Sequence, residues 1–241
     1  MSELQGKVAL ITGGSKGIGY GVAACLKREG IDVVITGKSE VAVQDAATRL
    51  NSKGNERATA LGLIADVRSY ESQSKVIDEI IERYGKLDIV IANAGVGHFA
   101  PIHELSLAKW QETIDTNLTG AFYTLKASVE ALTSSKGYYI SISSLAGTNF
   151  FAGGSAYNAS KFGLTGFTQA AMLDLRQYGV KVSTIMPGSV ATYFNGNVPN
   201  EKDSWKIQSE DIGELVLGLL RMNPRTLPSK IEVRPLQPPL K

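Results

Sequence analysis

Short, almost wholly apolar runs rich in β-branched residues recur along this chain, and longer stretches with apolar residues at helical spacing lie between them. The runs are Lys7–Thr12, Asp32–Thr36, Thr59–Ala65, Leu87–Ala92, Tyr138–Ser143, Val180–Ile185 and Ile231–Val233. A strand with one wet face alternates apolar and polar residues. A strand covered on both faces does not, so the first six runs predict parallel strands between two helical layers. Ser74–Tyr84 and Tyr157–Tyr178 are two of the intervening helical patterns. This alternation requires crossover connections of one hand and predicts an α/β fold, a doubly wound sheet in a three-layer α/β/α sandwich.

At 241 residues, 43% of them hydrophobic, the chain can bury one core without disulfides or metal. No repeat, low-complexity stretch or linker divides it, so residues 1–241 are read as one domain. A net charge of +2 does not point to a nucleic-acid or membrane surface. The one cysteine, Cys25, reads as a small apolar residue of the first helix. No apolar run approaches the length of a bilayer span. The N-terminus does not resemble a secretion signal, which makes a cytoplasmic protein the expectation. Tyr193–Ser209 is polar and weakly periodic and reads as a loop, either a lid beside a ligand or an idle surface segment. Pro235–Lys241 reads as an extended tail.

The first apolar run leads into Thr12-Gly-Gly-Ser-Lys-Gly-Ile-Gly19 and then a helix. Backbone N–H groups at a helix N-terminus attract a pyrophosphate, and glycines let it approach. Gly13, Ser15, Lys16, Gly17, Ile18 and Gly19 are therefore candidate dinucleotide-binding residues, although a Gly-rich turn holding no ligand has the same composition. NAD sites place an acid about 20 residues further on, at the end of the second strand. Here that strand ends Thr36-Gly37-Lys38-Ser39, and Asp32 lies at its opposite edge. Lys16 and Lys38 with Ser39 would suit a 2′-phosphate, which favours NADP(H) over NAD.

Tyr157 and Lys161 stand four residues apart and share one helical face. A phenol ordinarily ionises near pH 10, and a neighbouring ammonium lowers that value, so Lys161 is expected to acidify Tyr157 for proton exchange with an alcohol or carbonyl. An incidental surface pair has the same spacing.

With Asp66 after the third strand, Asn93-Ala94-Gly95 after the fourth, Asn117 in the fourth helix, Ser144 after the fifth strand and Pro187-Gly-Ser-Val-Ala-Thr192 after the sixth, the chain resembles the short-chain dehydrogenase/reductase family over nearly its whole length. The likeness extends toward 3-oxoacyl-[acyl-carrier-protein] reductases and sepiapterin-reductase-like members. It implies a Rossmann-type sheet and roles for the matched residues. Tyr157 would be the general acid and Ser144 a second hydrogen-bond donor to the substrate oxygen. Lys161 would also hold the nicotinamide ribose, and Asn117 a water in a proton relay. Asp66 and the Val67 backbone would meet the adenine, while Asn93, Ala94 and Gly95 would pass beside the cofactor, Asn93 chiefly bracing the sheet. Pro187, Gly188, Val190 and Thr192 would border the nicotinamide.

The function so implied is NADP(H)-dependent reduction of a ketone, aldehyde or 3-oxoacyl thioester by a homotetramer or dimer. The alternatives are an NAD-linked alcohol dehydrogenase and a nucleotide-binding regulator without catalysis. His98 and His103 lack metal-ligand spacing, no metal is expected, and His98 reads as a solvated loop residue. Phe150, Phe151, Tyr193, Phe194 and Trp205 lie in segments expected to border a substrate pocket.

Overall fold

The computed structural model describes residues 4–53 and 55–237. Seven strands, β1 (Val8–Thr12), β2 (Asp32–Gly37), β3 (Ala60–Ile64), β4 (Ile89–Ala92), β5 (Tyr138–Ile142), β6 (Lys181–Pro187) and β7 (Lys230–Val233), form one sheet in the order β3-β2-β1-β4-β5-β6-β7. Every pairing is parallel. This is a Rossmann-type α/β fold, with the strand order reversing between β1 and β4.

The helices are α1 (Gly17–Arg28), α2 (Glu40–Asn51), α3 (Tyr70–Tyr84), α4 (Leu107–Ile114), α5 (Gly120–Ser135), α6 (Ser155–Leu175) and α7 (Ser209–Leu220). Successive residues of a strand face opposite ways. Ala9 and Ile11 of β1 accordingly pack with Val22 and Leu26 of α1, Leu50 of α2 and Val216 of α7. Val8 and Leu10 join the other core with Ile77 of α3, Leu125 of α5 and Leu164 of α6. Both faces are covered, which is why the strands read as continuous apolar runs.

Local signals fix the helix starts. Ser39, Ser69 and Ser106 cap α2, α3 and α4, each accepting a backbone N–H three residues ahead. Helix α1 differs: Lys16 stands at its N-cap without a side-chain hydrogen bond to the first turn. The helix expected around Asn117 is divided, because Asp115–Thr119 forms one π-helical turn between α4 and α5. The Tyr193–Ser209 segment holds two short 3₁₀ turns, Phe194–Gly196 and Glu201–Asp203. The second is closed by reciprocal capping between Asn200 and Asp203. Its base is tied to the sheet edge by a parallel bridge between Val190 and Ile207. Of the expected tail, Pro238–Lys241 lies outside the described residues, and Leu236–Gln237 forms a bend. No helix among the described residues is long and apolar enough to cross a membrane.

Cys25 is buried where α1 crosses α7, and a Cβ built on Gly213 would lie 2.5 Å from its Sγ. Gly218, on the same helix, has nothing within 4 Å of such an atom. Gly213→Ala is expected to lower unfolding free energy by about 1–3 kcal/mol through overpacking. Gly218→Ala should instead raise it by up to about 1 kcal/mol through helix propensity. Urea midpoints of the two variants measure the contrast.

Candidate active site

The carboxyl ends of the strands open onto a cavity of about 810 Å³. The turn after β1 forms its floor. Gly13 has φ +63°, and a Cβ there would lie 2.9 Å from the Ala94 Cα; Gly17 has φ +58° and faces Thr192. Larger residues would be strained at both positions. The uncapped start of α1 meets the cavity through Gly17 and Ile18, so unpaired backbone donors and the positive helix end face the space where a phosphate would sit. The buried Thr36 hydroxyl, also on the cavity wall, has no hydrogen-bond partner among the described residues. Donors, shape and an orphaned hydroxyl together fit a dinucleotide.

Asn93 and Thr12 stitch the two strands at which the order reverses. Asn93 Nδ2 donates to the carbonyls of Thr12 (2.9 Å) and Gly13 (3.1 Å). The Thr12 hydroxyl accepts the backbone N–H groups of Asn93 (3.0 Å) and Ala94 (3.1 Å). Gly19 packs against Asn93 rather than lining the cavity: a Cβ there would lie 2.5 Å from Asn93 Nδ2.

At the end of β2, Gly37 and Lys38 line the cavity, as do Lys16 and Ser15. Ser39 does not; its hydroxyl accepts the Ala42 N–H at 3.3 Å as the α2 cap. Two carboxylates near Lys38 are already paired. Arg68 grips Asp66 with Nε at 3.0 Å and Nη2 at 2.6 Å and holds its carboxyl below the usual range. His98 Nε2 meets Glu112 at 2.8 Å, and this contact lowers the Glu112 carboxyl. The expectation of a solvated His98 is therefore corrected: it lines the cavity and is anchored to α4. Arg68, which sequence reasoning did not single out, lines the cavity beside Asp66 and Val67.

On the other side, Ser144, Tyr157 and Lys161 converge. Ser144 follows β5 in extended backbone, and its hydroxyl accepts the Ala146 N–H at 3.1 Å. Asn158, beside Tyr157 on α6, donates to the carbonyls of Ala146 (2.8 Å) and Asn149 (2.7 Å), so the turn after Ser144 is pinned to the helix that carries the phenol. The Ser144 hydroxyl lines the same cavity as the phenol and pulls its pKa down. Burial has the larger effect and pushes it up.

The expected acidification by Lys161 is not seen. The ammonium lies 5.7 Å from the Tyr157 ring centroid and donates to the Ile142 carbonyl at 2.9 Å. Burial lowers the Lys161 pKa itself to about 8. Desolvation opposes charge on both groups, a tertiary effect that the four-residue spacing does not convey.

Asn117 sits in the π turn and is buried behind Gly95 rather than lining the cavity. Its Oδ1 accepts the Val96 N–H at 2.8 Å, and its Nδ2 donates to the Val96 carbonyl (2.9 Å) and to Ser160 Oγ (3.0 Å). Its side-chain amide thus clamps the loop after β4 to α6. Pro187, Gly188, Val190 and Thr192 line the cavity with Tyr193 and Phe194. Phe150, Phe151 and Trp205 do not line the cavity, and Phe151 packs instead against Phe99. Among the described residues no three His, Cys, Asp or Glu side chains are placed to hold a metal ion.

The geometry agrees with comparison to known proteins. A family model described as short chain dehydrogenase matches residues 7–203. The trans-4-hydroxycyclohexanecarboxylate dehydrogenase of Sinomonas cyclohexanicum is 34% identical over 223 residues, covering 88% of this chain and 85% of its own. An alcohol dehydrogenase from the archaeon Thermococcus sibiricus, solved with 5-hydroxy-NADP, superposes with TM-score 0.90 at 29% identity, covering 98% of this chain and 99% of its own. A metagenomic short-chain oxidoreductase in complex with NADP gives TM-score 0.84 at 32% identity with the same coverage. With a glycine turn at the strand-order reversal and a Ser, Tyr and Lys gathered across the same cavity, this chain belongs to the short-chain dehydrogenase/reductase family and is an oxidoreductase of alcohol and carbonyl groups.

Proposed function

We propose that the protein is a cytoplasmic, NADP(H)-dependent carbonyl reductase in which Tyr157 is the proton donor. The observation that carries this reading is the meeting of the Ser144 hydroxyl and the Tyr157 phenol at the cavity wall, with Lys161 one helical turn behind. A bound nicotinamide supplies the hydride. The chain supplies the proton and the electrostatics.

Burial keeps the Tyr157 phenol protonated, which is the form an acid needs. The alkoxide that develops in carbonyl reduction is a far stronger base than a phenolate, so the proton moves downhill even from a phenol above its ordinary value near 10. Ser144 adds a second donor to the same oxygen, stabilising charge only as it appears. Lys161 would hold the ribose from one helical turn behind the phenol. Asn117 fixes the wall between Lys161 and solvent, where a relay water would sit.

Gly13, Ser15, Lys16, Gly17 and Ile18 would hold the pyrophosphate, with Gly19 allowing the close packing beneath it. Asp66 and Val67 would hold the adenine, Asn93, Ala94 and Gly95 would flank the cofactor, and Pro187, Gly188, Val190 and Thr192 would border the nicotinamide. For the 2′-phosphate, Lys38 and Lys16 supply charge and Ser39 retains a free O–H. The nearby acids Asp66 and Glu112 are already engaged, Asp66 in an ion pair with Arg68 and Glu112 in a hydrogen bond with His98. Two structural relatives solved with NADP-type ligands support the same choice. Phe122 on α5 and Phe162 and Leu173 on α6 are 43%, 42% and 53% exposed, an apolar surface suited to a homotetramer or dimer.

Tyr157→Phe should reduce kcat for NADPH-dependent ketone reduction by about 10²–10⁴-fold while NADPH affinity stays within about threefold. Unchanged turnover would remove Tyr157 from the mechanism. Lys38→Ala should raise the KM for NADPH by about tenfold or more and leave that for NADH nearly unchanged, since a charge-assisted hydrogen bond contributes about 1.5–3 kcal/mol. Lys161 is charged below its folded pKa of about 8 and neutral above it. The value of kcat/KM for NADPH is therefore expected to be level at lower pH and to fall as pH rises through about 8. A profile that stays level to pH 10 would detach Lys161 from nucleotide binding.

A further inference from the structure

Proton transfer and nucleotide binding leave one cluster of rings without a role: Tyr157 and Phe194 line the cavity, and Phe99 and Phe151 extend beyond its lining. A wall of four rings runs outward from the proposed proton donor. The Phe194 ring lies 5.7 Å from that of Tyr157, Phe99 meets Tyr157 edge-on at 5.4 Å, and Phe99 and Phe194 are 6.5 Å apart. Phe151 extends the wall at 5.8 Å from Phe99. These separations suit aromatic pairing.

The wall is built into the fold. Ala100 N–H donates to the Gly153 carbonyl at 2.9 Å, which pins together the two loops carrying Phe99 and Phe151. Gly97 makes room for the rings: a Cβ there would lie 2.6 Å from Phe194 Cζ and 3.0 Å from Phe99 Cζ. Yet Phe99 and Phe151 remain 42% and 48% exposed. Apolar surface is thus left open on Phe99, which touches the Tyr157 ring, and on Phe151 next to it.

We propose that Phe99, Phe151 and Phe194 are specificity-determining residues that select ketones whose carbonyl carbon lies in, or is attached to, a flat ring. This rests on the reading of Tyr157 as proton donor. A ring beside the carbonyl extends the edge-to-face cluster and covers the open faces of Phe99 and Phe151. It also brings its shape with it, whereas an open alkyl chain or a thioester arm loses rotational freedom on binding the same wall. The reaction is unchanged in kind: hydride adds to the ring-borne carbonyl carbon, the Tyr157 proton joins its oxygen, and the nicotinamide is oxidised as the ketone becomes an alcohol.

The test is kcat/KM with NADPH for 1-indanone and acetophenone against 2-hexanone, 2-octanone and an acetoacetyl thioester. Ring ketones should lead by at least about tenfold, and Phe99→Leu and Phe194→Leu should each shrink that ratio by about tenfold. A wild-type preference for open-chain ketones or the thioester, or a ratio that both variants leave unchanged, overturns the proposal. Calorimetric affinities of the same ketones for NADPH-saturated Tyr157→Phe protein give a second readout independent of proton transfer. Tighter binding of ring ketones there supports the proposal, and equal affinities overturn it. Turnover undiminished in Tyr157→Phe would overturn the proton-donor assignment separately.

Discussion

The site depends on how α6 is held against β5. A ladder of buried hydroxyls joins them: Ser141 Oγ to Thr168 Oγ1 at 3.0 Å and Ser143 Oγ to Thr165 Oγ1 at 3.1 Å. Ser143 and Thr165 both donate to the Lys161 carbonyl, at 3.3 and 2.9 Å. The Lys161 amine reaches forward to the Ile142 carbonyl at 2.9 Å, so both ends of this residue are fixed to the strand that delivers Ser144. A polar contact buried in an apolar core has directions that dispersion lacks. It sets a register that packing alone would leave free to slide.

The same residue couples geometry to charge. Each hydroxyl of the ladder is satisfied, so burying it costs little. Lys161 is 4% exposed and no carboxylate is hydrogen-bonded to it, so burial makes its cationic form less favourable. Tyr157 is desolvated in the same region. The protein therefore holds a protonated phenol and a weakened ammonium side by side, and in the mechanism proposed above the charge that forms on a substrate oxygen is the partner they meet.

Much of this was legible in the sequence. The seven apolar runs became the seven strands, because strands covered on both faces are mainly apolar on both, and the few hydroxyls within them, such as Ser141 and Ser183, are buried with the rest. Edges were less clear. The fourth run begins at Leu87 but the ladder begins at Ile89, since Asp88 turns its carboxylate to the Val8 N–H at 2.9 Å. The glycine turn and the Tyr157/Lys161 spacing stood out because their chemistry is local. The π turn around Asn117 did not, as α and π turns draw on the same residues. The His98–Glu112 contact spans 14 positions, and the upward shift of Tyr157 comes from distant atoms that exclude water. Phe99 gave no signal, because one apolar residue in a loop is ordinary until its neighbours in space are known.

The segment that carries Phe194 is organised apart from the sheet. Its second turn closes on itself through Asn200 and Asp203, and the Val190–Ile207 bridge marks its return to the edge of the sheet. None of the hydroxyls that set Lys161, and none of the groups that pin Ser144, comes from it. On the proposed reading, substitutions there can change what the molecule accepts while the hydroxyls that set Lys161 and Ser144 stay in place, Phe194 being the one contact with the Tyr157 ring named above. That separation gives evolution a replaceable part: new preferences can be explored in one short stretch while the chemical engine is inherited intact.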